Sequence, residues 1–314
     1  FRNIRCKFFC IFIKMLSPQI ILFAIVSYFI ILTAISYFTG KDDNNETFFN
    51  AKRSSNWAVV AFGMVGASLS GVTFISVPGW VGESQFTYFQ VVIGYLIGYL
   101  IVANLLLPIY YNLGLVSIYE YLFDRFGKKS HKVGSISFLI SRVLGASFRL
   151  YLVAIVLQEF VLDDFGIPYE ITVIISILLI WLYTRRGGIK TIVWTDTIQT
   201  SLMILAVVLS IYYINKDIGW TFSEFVTSND FKEFSKIFVT DSIMDRSYYL
   251  KSIVGGAFIT ICMTGLDQDM MQKNLTCRNI EEAKKNMIVF SFILTCVTLL
   301  FIVLGALLYI YSNQ

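Results

Sequence analysis

The sequence predicts an all-α polytopic membrane protein with about eight transmembrane helices, and three observations carry that reading. Hydrophobic residues make up 56% of the chain and charged residues only 15%, against about 25% charged in soluble domains. Mean hydropathy is +0.70. The apolar residues gather into long spans, each fit for ~30 Å of hydrocarbon at ~1.5 Å per residue. The loops between the spans alternate in the sign of their charge excess, as the two sides of a membrane require.

Residues 1–14 carry Arg2, Arg5, Lys7 and Lys14 ahead of Met15, and are expected to be a non-native or untranslated leader. A first apolar span, 18–38, reads as a lead helix. A polar loop from Lys41 follows, and then the stretch Trp57 to Trp80, the least ordinary span of all. Gly63, Gly66 and Gly71 are spread along it, Ser68, Ser70, Thr73 and Ser76 bring hydroxyls to its middle, and Pro78 removes an amide donor. Such a segment suits a helix that breaks at mid-depth and frees backbone groups to line a wet cavity. The same residues equally suit close packing of helices through small side chains.

Further spans lie at about 85–111, 133–162, 171–183, 191–214, 253–265 (extending to Met271) and 287–311. Lys and Arg cluster in the loops Lys41–Arg53, Arg125–Lys132, Arg185–Lys190 and Lys273–Lys285, whereas the connections at Glu83 and Asp163–Asp164 are acidic. The positive-inside rule puts the first set in the cytoplasm, which leaves Gln314 outside. The longest outer segment runs from Asn215 to Lys251. Within it Phe231, Phe234 and Phe238 fall on one helical face behind caps at Ser228 and Asn229. This short helix either lies on the membrane surface or is a solvated turn packed on its neighbours.

Charges inside apolar spans are the sharpest functional signals, because each costs at least ~2.5–3.5 kcal/mol at mid-membrane. Arg142, Arg149 and Glu159 lie on the span 133–162, Asp196 on 191–214, and Asp267 and Asp269 near the inner end of the span from 253. Arg149 is read either as a cation that receives a substrate carboxylate or as an internal pairing or snorkelling side chain. Asp196 is read either as an oxygen ligand for sodium or as the partner of Arg142. Asp267–Asp269 with the following basic stretch reads as a solvated helix end with capping residues. The five cysteines show no metal or disulfide spacing. His131 is the only histidine and sits in a charged loop, so no histidine metal site or proton relay is expected. With no HExxH and no intramembrane Ser/His/Asp set, an enzyme is not expected either.

Four stretches resemble the sodium:solute symporter family: FFNAKRSSNWAVVAFGMVGASLSGVTFISVPG, Tyr119-Glu120-Tyr121-Leu122 with Arg125-Phe126-Gly127, GGIKTIVWTDTIQ, and GLDQDMMQKNLTCRNIEEAKK. They occur in family order and at family-like spacing. The resemblance implies a leucine-transporter-type fold of two inverted five-helix repeats. Residues 15–314 would then form the symporter domain, with lead helix 18–38, first repeat 57–214 and the start of a second repeat at 250–314. The C-terminal helices of the same protein would be missing from this chain. The implied activity is sodium-coupled import of a small organic solute across the plasma membrane by alternating access. Sodium is the implied coupling ion. The lipid bilayer is its surrounding, and no nucleic-acid partner is expected.

Carried over residue by residue, the resemblance assigns backbone carbonyls of Gly66 and Leu69 to one sodium and Asp196 to a second sodium or to ion exit. It offers Ser70, Thr73, Gln90 and Arg149 as substrate contacts. Sugar-binding members carry Glu-Gln where this chain has Val72-Thr73, which disfavours a neutral hexose. Thr73 and an arginine on the third helix suit an acidic sugar or another carboxylate. The rival reading is a symporter-like sensor domain, fused to a signalling module that lies beyond this chain.

Overall fold

The computed structural model describes residues 18–39, 53–115, 117–184 and 188–313. The proposed leader, most of the loop from Lys41, and the turn at 185–187 lie outside the described residues. In chain order the helices are α1 (Pro18–Thr39), α2 (Trp57–Ser68), α3 (Gly71–Ser84), α4 (Tyr88–Asn112), α5 (Ile118–Leu157), α6 (Tyr169–Thr184), α7 (Gly188–Ile218), α8 (Phe222–Thr227), α9 (Asn229–Phe234), α10 (Tyr249–Thr260), α11 (Gln268–Asn274) and α12 (Ile280–Asn313). Among the described residues, five continuous helices are long and apolar enough to cross a membrane. Two further spans are bent pairs: α2 and α3 meet at 65°, and the helix from Tyr249 to Gly265 meets α11 at 72°. With the shorter apolar helix Tyr169–Leu182, these match the spans expected from the sequence. The chain is a multi-pass membrane protein.

Two compact units emerge, one from the described parts of Phe1–Lys52 and Ser117–Thr195, the other from Arg53–Val116 and Asp196–Gln314. In the first, α1 packs against α6 and against a π-helical turn, Gln158–Leu162, that ends α5. Gln158 fixes that turn: its amide donates to the Ile167 carbonyl at 2.6 Å, and its oxygen accepts from the Thr172 hydroxyl. The loop expected at Arg125–Lys132 is helical instead. Gly127 alone leaves helical geometry (φ 81°), so two helical stretches meet at a kink there, in a conformation that favours glycine. His131 belongs to the helix after this bend, and its Nδ1 lies 2.8 Å from the Tyr119 carbonyl.

The second unit is built around the pairing of α4 with α10, and glycines let the two backbones touch. A Cβ at Gly256 would lie 2.2 Å from the Val91 carbonyl oxygen, and one at Gly94 would lie 2.1 Å from the Ile253 oxygen. Neither space can hold a methyl group. Gly94 and Gly98 stand four apart, the spacing that brings small residues onto one helix face. Helix α12 covers α2, α3 and α4. Phe290, Phe301 and Ile302 on it are fully buried, and the Tyr309 hydroxyl donates to the Gly79 carbonyl at 2.9 Å.

The segment after α7 is only partly as expected. Ser228 does cap, accepting from the Phe231 amide at 3.1 Å, but α9 ends at Phe234. Phe231 packs edge-on against Phe86 and Phe225, whereas Phe238 is half exposed in extended chain beyond the helix. The helix faces its neighbours through these rings.

Candidate functional site

The break between α2 and α3 is made by local hydrogen bonding. The Leu69 amide still reaches back to the Val65 carbonyl at 2.8 Å, the last bond of α2. The Ser70 amide turns forward instead, to Thr73 Oγ1 at 3.2 Å, and the Thr73 amide returns to Ser70 Oγ at 3.4 Å. This reciprocal cap starts α3 as a new helix. Among the described residues no backbone amide crosses the break to the carbonyls of Gly66 through Leu69. In a bilayer such groups need another partner.

Two predicted sodium residues, Gly66 and Asp196, meet at one helix contact. A Cβ on Gly66 would lie 3.0 Å from the Asp196 carbonyl oxygen and 2.2 Å from Thr200 Oγ1. Thr200 donates to that same Asp196 carbonyl at 2.7 Å, and Thr197 donates to the Val59 carbonyl at 3.3 Å. Helix α7 is thereby seated on α2 just before the break, with Leu69 buried beyond it.

The Asp196 carboxylate has a partner the sequence reading passed over. Lys273 Nζ lies 2.8 Å from Asp196 Oδ2, with side chains only 4% and 15% exposed. This corrects two expectations. The cation at Asp196 is Lys273, while Arg142 lies over the Phe138 ring at 5.6 Å. The segment after Gly265 is not a solvated helix end either, since Asp267, Met270, Met271, Lys273 and Asn274 are all buried. The second break is built differently from the first. A π-helical turn, Ile261–Gly265, ends α10, and the Asp267 side chain accepts from the Asp269 amide at 2.9 Å to start α11.

The contacts around α11 and the start of α12 are mainly polar. Asn286 Nδ2 donates to Asn274 Oδ1 at 2.6 Å, and both residues are fully buried. The Tyr111 hydroxyl lies 3.2 Å from the carbonyls of Asn274 and Cys277. The Ser55 amide donates to the Thr276 carbonyl at 3.1 Å, and Lys285 Nζ sits 4.2 Å over the Trp57 ring. Burial, with the nearby Glu282 charge second, pushes the Cys277 thiol up to about 12. It therefore stays protonated and unreactive.

Of the predicted substrate contacts, Ser70, Thr73 and Gln90 lie in the second unit and Arg149 in the first. Ser70 and Thr73 flank the first break, and their hydroxyls already serve as the cap. Gln90 is fully buried, and its amide is spent on backbone: it donates to the carbonyls of Thr87 (3.0 Å) and Ser247 (3.3 Å) and accepts from the Val239 amide (3.2 Å). It clamps the outer segment onto the first turn of α4. Arg149 belongs to the other compact unit, is exposed on α5 and makes no ion pair among the described residues. Among the described residues no group of three His, Cys, Asp or Glu could hold a metal.

Two capped breaks, a buried cation–carboxylate pair and glycine-seated helices together mark a membrane protein with two broken spans. The sodium:solute symporter family profile matches residues 48–313, and the chain belongs to that family. It is 29% identical over 288 residues to the sodium/sialic acid symporter NanT of Aliivibrio fischeri, covering 88% of this chain and 54% of that protein. It is 28% identical over 289 residues to the sodium/sialic acid symporter SiaT of Proteus mirabilis, covering 88% and 55%. The chain thus spans about half the length of these relatives. A substrate-bound, outward-open Na+-coupled sialic acid symporter with a novel Na+ site superposes with a TM-score of 0.81 at 25% identity, covering 95% of this chain and 62% of that one. The fold is therefore all-α and of that symporter's type.

Proposed function

We propose that this chain carries the first half of the binding machinery of a sodium-coupled symporter that imports a small carboxylated solute, of the sialic acid kind, by alternating access across the plasma membrane. One observation carries the proposal: the α2–α3 break, where carbonyls and amides are released side by side. The carbonyls of Gly66 and Leu69 offer oxygens to one sodium, and Asp196 offers a carboxylate to another. On the far side of the break, the Gly71 and Val72 amides open α3 with no acceptor among the described residues. A helix N-terminus of this kind attracts a negative group. Carbonyls facing a cation and amides facing a carboxylate let the two solutes favour each other's binding reciprocally.

Ser70 and Thr73 at the break, and Arg149 on α5, are the side chains proposed to meet the substrate, with Gln90 holding the segment after α9 onto α4. The relatives named above are symporters over the matched stretch, which gives the sensor reading no support. No enzymatic role is proposed.

Uptake by the intact protein in proteoliposomes tests the proposal. Radiolabelled sialic acid, a neutral hexose and an amino acid would each be offered with and without a sodium gradient. Sodium-dependent accumulation of the acid is expected, and Arg149→Gln is expected to abolish it selectively. Uptake that ignores sodium would remove the coupling. Transport of neutral solutes alone would remove Arg149 from the substrate site.

A further inference from the structure

Lys273 faces two carboxylates of very unequal exposure. Its Nζ is 2.8 Å from Asp196 Oδ2, a side chain 15% exposed, and 3.8 Å from Asp269 Oδ1, a side chain 51% exposed. Asp269 and Lys273 stand four apart on α11, so one helix face presents both. Asp196 is held from a different helix, whose position Thr200 and Gly66 fix. The ammonium therefore has two places to rest, one deep and rigid, the other shallow and hydrated. A sodium ion arriving at Asp196 would meet a carboxylate already neutralised. Two cations within ~4 Å of one buried carboxylate repel strongly.

We propose that Lys273 is a tethered competitor for sodium: it holds Asp196 while the ion is absent and shifts to Asp269 when sodium takes Asp196. This rests on the reading of Asp196 as an ion-path residue. In it, the lysine sets the sodium concentration at which the site fills, and Asp269 makes its departure possible. The empty carboxylate is never left bare in the membrane, where an unpaired charge is costly.

The test is the half-saturating sodium concentration of the intact reconstituted protein, read from sodium-driven uptake and from tryptophan fluorescence. Lys273→Met removes the competitor and is expected to lower it by roughly tenfold, within the usual range of coupling between sites. Asp269→Asn removes the resting place and is expected to raise it several-fold. Lys273→Arg keeps the charge but can grip a carboxylate with two parallel N–H bonds, and is also expected to raise it. Should Lys273→Met prevent folding without sodium, the arginine and asparagine variants still decide. If both leave sodium half-saturation unchanged while Asp196→Asn raises it, the lysine is purely structural and the ion path stands. If Asp196→Asn leaves sodium dependence intact, the ion path itself is wrong and this proposal falls with it.

Discussion

The two bent spans of the second unit reach nearly the same angle, 65° and 72°, by different chemistry. The first is broken by neutral groups: glycines weaken the helix and a serine–threonine cap restarts it. The second is loosened by a π-helical turn and restarted by a carboxylate, Asp267, that is buried with Lys273 and Asn274 close behind. A neutral break leaves carbonyls and amides open to whatever enters the cavity. A charged break comes with partners already attached. The first break leaves backbone groups without partners among the described residues, and the second carries Lys273, the ion-pair partner of Asp196.

The largest way to break this comparison is to disturb the backbone contact that holds the second broken span. Gly256→Val would drive a side chain into the Val91 carbonyl and should destabilise the protein by about 3 kcal/mol or more. Thermal unfolding in detergent would measure it, and a wild-type melting temperature would mean that α4 and α10 do not touch as described. Truncating the caps gives a smaller effect. Ser70→Ala should cost about 1 kcal/mol and speed amide exchange in the first turn of α3. Asp267→Ala should cost as much or more, because the Asp267 cap is buried and its loss leaves the Asp269 amide without that acceptor. Equal exchange changes at both breaks would erase the distinction between a neutral and a charged restart.

The smallest expected effect lies outside the membrane. Glu224 caps α8 by accepting from the Thr221 amide at 2.7 Å, and that bond, with the Thr221 hydroxyl second, holds its carboxyl below the ordinary glutamate range. A depressed acid stabilises the cap above its unfolded pKa and loses that contribution as pH falls through its folded one. Protection factors at Phe222–Thr227, referred to the intrinsic exchange rate at each pH, should therefore fall on acidification below about pH 4. The first transmembrane break, capped by the neutral hydroxyls of Ser70 and Thr73, should not follow.

Much of this architecture is written locally. The glycines and hydroxyls of 63–76 announce an interrupted helix because composition and position act on the same few residues. The motif beginning at Gly187 likewise marked Asp196. What local reading misses is long-range. Lys273 was counted among inner-loop charges because its partner lies 77 residues away, and nothing in the sequence between them couples the two. Gln90 is similar: a buried glutamine can bind a substrate or strap a loop, and only its three backbone partners show which one it does here. The four-residue spacing of Gly94 and Gly98 is visible in sequence, but the helix that fills their groove is not.

That groove has a mechanical consequence. Where main chain rests on main chain without intervening side chains, there is no cushion to compress and no rotamer to swap. Helices α4 and α10 are therefore coupled as one plank, and bending within this unit is left to the breaks at Leu69–Ser70 and Leu266–Asp267.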